Sequence, residues 1–256
     1  MRYHVEGQGH AFLMVPGLDG TALLFYRQIP RLAPRFRVVS FPLPDDDRST
    51  MESLISNLVT IIDEVSPTER VFLCGESFGG ALGLSFALAH PERLRGLVVL
   101  NSFSWVRQRL QIRVAPTLLR LFPWGAMPLM RRFTESRLHT SHTRPDDLRE
   151  FHERSRAIGR RGYIRRLEIL RDYDIRDRLG EITTPTLFLA ADQDRLVSSE
   201  DEARFMSEHM PNASVKILEG FGHICLINHD FDLLAAIEPW LATSPFEAVG
   251  LALPTE

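Results

Sequence analysis

A serine bracketed by glycines, GESFG at 75–79, stands where an apolar run, VFLC at 71–74, gives way to a helix-like run of small and apolar residues, FGGALGLSFALAH at 78–90. A chain that leaves a strand and enters a helix within one residue turns too sharply for side chains two positions before and after the turn, hence Gly75 and Gly79. The turn exposes one hydroxyl, that of Ser77, and aims it off the end of a sheet. The five-residue pattern alone recurs by chance. Its place at a strand-helix junction gives it weight.

The rest of the chain continues the alternation. After a short extended start, YHVEG, the runs 11–15 (AFLMV, ending at Pro16-Gly17), 37–41 (RVVSF), 94–100 (LRGLVVL), 186–191 and 214–218 read as short apolar strands. Ser49 followed by Glu52 forms a capping-box signature, and Leu54, Ile55, Leu58, Ile61, Ile62 and Val65 then recur at helical spacing. A final helix is predicted over 231–241. Strands alternating with helices predict an α/β fold, a doubly wound, mostly parallel sheet covered on both faces.

Between Leu100 and Thr186 the alternation stops. Arg-studded helical patterns over 106–121, 125–138, 145–158 and 160–172, broken by Pro116, Pro123 and Pro128, take its place. In a doubly wound sheet such an insertion lies over the carboxyl ends of the strands, where ligands bind. The expected organisation is a core of 1–101 and 180–243, a helical Arg-rich cap of 102–179, and a tail of 244–256 with no clear pattern.

At 44% hydrophobic and 25% charged, the composition is that of an ordinary globular domain. With no apolar run of membrane-spanning length and no signal-peptide stretch in MRYHVEGQGH, the expectation is a cytoplasmic protein with no nucleic-acid partner. Cys74 and Cys225 read as small core hydrophobes, and nine histidines without HExxH spacing predict no metal and no cofactor. The net charge of −3 conceals an asymmetry: residues 102–178 carry a formal +9 and the remainder −12.

A serine hydroxyl is a poor nucleophile near neutrality, so Ser77 needs a base, and the base an orienting acid. Asp194, just past TLFLAA in ADQDRLV, is placed to point off the same sheet edge, and His223 follows the last strand in GFGHI, where Gly220 and Gly222 are expected to make the loop mobile. The chain order Ser, Asp, His is the one that goes with this turn. Asp192 competes for the acid's role but is expected to be too buried; His229 competes for the base's, although NHDF reads as a helix start. A developing oxyanion needs amide donors, worth about 3 kcal/mol each. Phe78 N–H follows the nucleophile, and Leu18 N–H sits in VPGLDG, where Gly17 permits close approach.

With GESFG, ADQDRLV and GFGHI in this order, the chain resembles the α/β-hydrolase superfamily over nearly its whole length. It departs in having Pro16-Gly17 for the more usual His-Gly, in LPDDDRS at 43–49 for a glycine-rich loop, and in lacking a first strand. PGLDGTALLF followed by GESFGG is similar to the hydrolase portion of plastid esterase/lipase/thioesterase, phytyl ester synthase-like proteins, whose acyltransferase domain this chain has no room for. Length and cap also resemble carboxylesterases that cleave the methyl ester of pimeloyl-carrier protein.

The activity expected is hydrolysis of carboxylic esters or thioesters through Ser77, His223 and Asp194. Acyl transfer to an alcohol on the same triad is the alternative among enzymes, and a ligand-binding or receptor protein on the same fold the alternative outside them. Arg154, Arg156, Arg160, Arg161, Arg165 and Arg166 are candidates to bind an anionic acyl substrate on coenzyme A or acyl carrier protein, or else form a solvated face paired with Glu150, Glu153 and Glu168. The run from Trp105 to Phe133 fits either a lid touching a membrane surface or helices packed on the core.

Overall fold

The computed structural model describes residues 2–107, 109–126, 137–140, 142–243 and 246. Seven strands among them form one sheet: β1 (His4–Glu6), β2 (Ala11–Val15), β3 (Arg37–Ser40), β4 (Val71–Glu76), β5 (Leu94–Leu100), β6 (Thr186–Ala191) and β7 (Ala213–Leu218). Their order is β1-β3-β2-β4-β5-β6-β7, with β1 antiparallel to β3 and every other pair parallel. The doubly wound α/β sheet expected from the sequence is present, and the extended start is its antiparallel edge.

The helices are α1 (Ile29–Leu32), α2 (Met51–Val65), α3 (Phe78–Ala89), α4 (Arg109–Leu121), α5 (Pro145–Arg154), α6 (Arg160–Arg171), α7 (Ser199–His209) and α8 (Leu233–Leu241). Period-two alternation divides each central strand between two cores. Ala11, Leu13 and Val15 pack with α2, α3 and α7, whereas Phe12 and Met14 pack with α1 and α8. On the second side Phe12, Phe36, Phe72 and Trp240 form a ring cluster that also takes in Phe246, which is 1% exposed and 4.7 Å from Trp240. Phe246 is thus packed, although it falls in the stretch where the sequence has no pattern; the other residues of 244–256 lie outside the described residues.

Two local expectations need correction. The N-cap of α2 is Thr50, whose hydroxyl accepts from Ser53 N–H while Ser53 Oγ accepts from Thr50 N–H. Ser49 is unavailable because its amide and hydroxyl both donate to Asp46 Oδ1. Strand β4 runs on to Glu76, since Gly75 and Glu76 still pair with Val99 and Leu100, so the strand ends at the residue before Ser77.

Residues between β5 and β6 add no strand to the sheet among those described. An isolated bridge, Trp105 to Asp174, ties the start of the insertion to its end. The helix predicted at 145–158 stops at Arg154 and continues as a 3-10 turn, and most of the one predicted at 125–138 lies outside the described residues. No helix among the described residues is long and apolar enough to cross a membrane. Because β3 and β4 flank β2 on opposite sides, the winding reverses between β2 and β4, and the loops after those two strands frame the crevice that forms there.

Candidate active site

Ser77 has φ 52° and ψ −116°, a strained conformation for a residue with a side chain. Its surroundings over-determine it: Ser77 N–H donates to Leu100 O at 2.9 Å, and its carbonyl accepts from Gly80 N–H at 2.9 Å and from the Ser102 hydroxyl at 2.7 Å. The glycine requirement is steric. A Cβ on Gly75 would fall 2.2 Å from Gly79 O, and one on Gly79 would fall 2.2 Å from Val15 O.

From this turn the hydroxyl meets the residues that follow β6 and β7. His223 Nε2 lies 3.0 Å from Ser77 Oγ, and His223 Nδ1 lies 2.7 Å from Asp194 Oδ2. Asp194 Oδ1 accepts from Leu196 N–H at 2.8 Å and Val197 N–H at 3.2 Å, and the Ser199 hydroxyl donates to Oδ2. Burial works to raise the Asp194 pKa, but the His223 charge and these donors outweigh it and hold the carboxyl below its usual value. For His223 burial works downward, yet the charges of Asp194 and Glu76 and the hydrogen bond to Asp194 leave its pKa raised.

The rivals are elsewhere. Asp192 is exposed, not buried as expected, and accepts from Gly220 N–H at 2.7 Å. His229 has Asp147 as its partner at 3.4 Å, and α8 begins only at Leu233, capped by Asp232. Gly220 also meets a steric need: it has φ 79°, and a Cβ there would meet the His142 ring at 2.5 Å.

Asn101 and Ser102 carry no signal in the sequence beyond their position, and Arg166, singled out there for an anionic substrate, has a different role. Asn101, directly after β5, donates from Nδ2 to His223 O at 2.7 Å and accepts Ala191 N–H at 2.8 Å, joining the loops that hold His223 and Asp194. Ser102 supports the serine turn. Arg166, on α6 and 3% exposed, donates to Leu18 O (3.0 Å), Asp19 O (3.2 Å) and Pro44 O (3.1 Å), fixing the loop of the Leu18 amide. Burial pulls its pKa down, against the charges of Asp19 and Asp45. The Phe78 amide is in the first turn of α3, where a helix leaves its N–H groups without intrahelical acceptors. Neither this amide nor that of Leu18 has an acceptor among the described residues.

Ser77 and His223 line a cavity of about 410 Å³ with Gly17, Leu18, Asp19 and Glu76. Its walls are apolar: Leu24 and Ile224 from the sheet loops, and Leu118, Leu119, Phe151, Ile158, Tyr163 and Leu167 from the insertion.

Residues 48–230 match the family described as serine aminopeptidase, S33. The chain belongs to that family. Among its relatives is RutD of Stutzerimonas stutzeri, to which carbamate hydrolysis is ascribed, 26% identical over 239 residues that cover 87% of this chain and 89% of that protein. The pimeloyl-[acyl-carrier protein] methyl ester esterase of Aeromonas hydrophila is 26% identical over 243 residues, covering 91% and 95%. A thermophilic esterase from Thermogutta terrifontis superposes with a TM-score of 0.83 at 20% identity, covering 94% of this chain and 92% of that one, a likeness of fold. The protein is a hydrolase with the α/β-hydrolase fold.

In this S33-family hydrolase none of the six arginines singled out from the sequence lines the cavity around Ser77. Arg154 pairs with Glu150 at 2.6 Å and stacks over Tyr26, Arg160 donates to the carbonyls of Leu119 and Arg120 at the end of α4, and Arg165 bonds Ser49 O and Glu168. Arg166 is buried in its carbonyl cradle. Arg156 and Arg161 are exposed. On α4, Val114, Leu118 and Leu121 expose an apolar stripe. Leu129, Met130, Arg131, Arg132 and Phe133, the rest of the expected lid, lie outside the described residues.

Proposed function

We propose that this chain is a serine hydrolase of carboxylic esters or thioesters. The observation that carries the reading is the continuous contact from Ser77 Oγ to His223 Nε2 (3.0 Å) and from His223 Nδ1 to Asp194 (2.7 Å), at the floor of an apolar cavity. Neutral His223 takes the proton of Ser77 as the hydroxyl oxygen attacks the carbonyl carbon. The resulting oxyanion accepts from the Leu18 and Phe78 amides, and Asp194 holds the imidazolium that forms. His223 then gives its proton to the leaving oxygen or sulfur. Water, deprotonated by the same imidazole, attacks the acyl-enzyme, and the imidazolium returns that proton to Ser77 Oγ as the acyl C–O bond breaks, releasing the acid and free Ser77. In this reading residues 102–179 act as a cap that walls the acyl group in, and the relatives' names, an ester hydrolase and a carbamate hydrolase, support acyl transfer to water as the reaction.

The test is labelling with a fluorophosphonate followed by peptide mass spectrometry. One adduct is expected, on Ser77, absent from Ser77→Ala together with turnover of p-nitrophenyl esters. Labelling at another residue, or turnover that survives Ser77→Ala, overturns the reading.

A further inference from the structure

The cavity around Ser77 contains two carboxyl groups that this mechanism does not use. Glu76, the last residue of β4, is 4% exposed and lines the cavity. Strand alternation puts it on the side of Cys74, and its charge is felt by Cys74, Cys225 and His223. Asp19 lines the cavity from the loop after β2, with Oδ2 accepting from the amide (2.8 Å) and hydroxyl (2.6 Å) of Thr21. Neither carboxyl forms an ion pair among the described residues; Arg166 donates to the carbonyl of Asp19, not to its carboxylate. Among the described residues, the one cavity-lining side chain able to carry positive charge is His223, which must be neutral to act as base.

We propose that Glu76 and Asp19 filter the acyl group by charge: the cavity admits uncharged acyl chains and rejects those that place a carboxylate or phosphate inside it. This rests on the hydrolase reading and names its substrate class. An anion entering loses its water, gains no cationic partner and meets the Asp19 charge in apolar surroundings where screening is weak. Any anionic part of a substrate therefore stays outside the cavity.

The filter varies with pH. Burial and the nearby Asp19 charge push the Glu76 carboxyl up to about 8, with His223 pulling the other way, so Glu76 is mostly protonated at pH 7 and mostly ionised at pH 9. The groups facing it are Asp19 from the loop after β2, Cys74 on its own strand, and His223 and Cys225 from the loop after β7. Asp194 stands behind His223, and Tyr163 from α6 lines the same cavity.

The experiment compares kcat/KM for two p-nitrophenyl esters of adipic acid, one with its far carboxyl methylated and one with it free, from pH 7 to pH 9. Expected for the wild type is a preference of about tenfold or more for the methylated ester at pH 7, growing several-fold further by pH 9. Glu76→Gln should keep the preference at pH 7 but lose its growth, and Asp19→Asn should lower the ratio at pH 7 several-fold without abolishing it, since the anion still loses its water. Because the ratio is taken within one preparation, partial misfolding of a variant does not move it, and the wild-type pH dependence stands without either variant. Equal rates for the two esters in a wild type whose Ser77 is labelled overturn the filter alone, as does growth with pH that survives Glu76→Gln. No turnover of either ester with Ser77 unlabelled overturns the hydrolase reading, and the filter with it.

Discussion

In the proposed mechanism the protonation of His223 sets when Ser77 can react. Its pKa is raised above the usual value, so activity should climb with pH through a midpoint above about 6.5 as the ring becomes neutral. The same shift gives the opposite sign for stability. The charged His223–Asp194 pair favours the folded state fully below the unfolded pKa, and that contribution is lost as pH rises through the folded one. Asp194→Asn should lower kcat by about 10³–10⁴-fold, by analogy with other triads, and move the midpoint down. A pH-rate profile of both proteins checks this; an unmoved midpoint would separate Asp194 from the base. Asn101→Ala should cost about 1–3 kcal/mol in urea unfolding, since it leaves Ala191 N–H and His223 O unsatisfied inside the protein. The triad candidates could be read from the sequence because each follows a strand end, and glycines flank Ser77 and His223. Asn101 could not, because its partners lie about ninety and a hundred and twenty residues away and are mostly backbone atoms.

Among the elements, strands were legible to within a residue or two because burial on both faces makes continuous apolar runs. Their ends were less so: Glu76 is an ionisable residue that the sheet nevertheless carries to the serine turn. The start of α2 was misplaced by one residue because Ser49 and Thr50 are both good caps, and only the Asp46 contact decides between them. Thr50→Ala should therefore cost about 1 kcal/mol in urea unfolding through loss of the cap. Ser49→Ala breaks only the hydroxyl bond to Asp46 and should leave the helix start intact by amide exchange. Helix α6 has a second role beyond packing, because its Arg166 holds the carbonyls of Leu18 and Asp19 and thereby the amide expected to meet the oxyanion. Arg166→Lys keeps the charge but loses the planar fork. It should lower kcat by tenfold or more, taking about 1.4 kcal/mol per factor of ten from transition-state stabilisation, with KM for an uncharged ester nearly unchanged. Arg166→Met should do so more severely. A parallel rise in KM with constant kcat would make Arg166 a packing residue and nothing more.

Across the whole molecule the charge asymmetry invites a steering argument, and the structure limits it. The insertion's formal +9 is laced with local pairs: Arg120 and Arg165 share Glu168, Arg149 pairs with Asp146, Arg176 with Asp174 and Arg178 with Glu181. Exposed pairs of this kind contribute little to stability, and they also cancel much of the field a distant substrate would feel. None of these arginines lines the apolar cavity, toward which α4 and α6 hold Leu119 and Leu167. An uncharged p-nitrophenyl ester should accordingly keep its kcat/KM within about twofold as salt rises from about 0.05 to about 0.5 M, a range over which the Debye length shrinks from more than 10 Å to a few Å. A thioester carried on coenzyme A keeps its phosphates outside the cavity, and if the exposed Arg156 and Arg161 attract them its kcat/KM should fall with salt. Arg156→Glu with Arg161→Glu should remove that salt dependence while leaving the uncharged ester alone. Loss of activity toward both substrates in the double variant would mean that these side chains support the fold of the insertion. An unchanged salt response would mean that no arginine outside the cavity reads the leaving group.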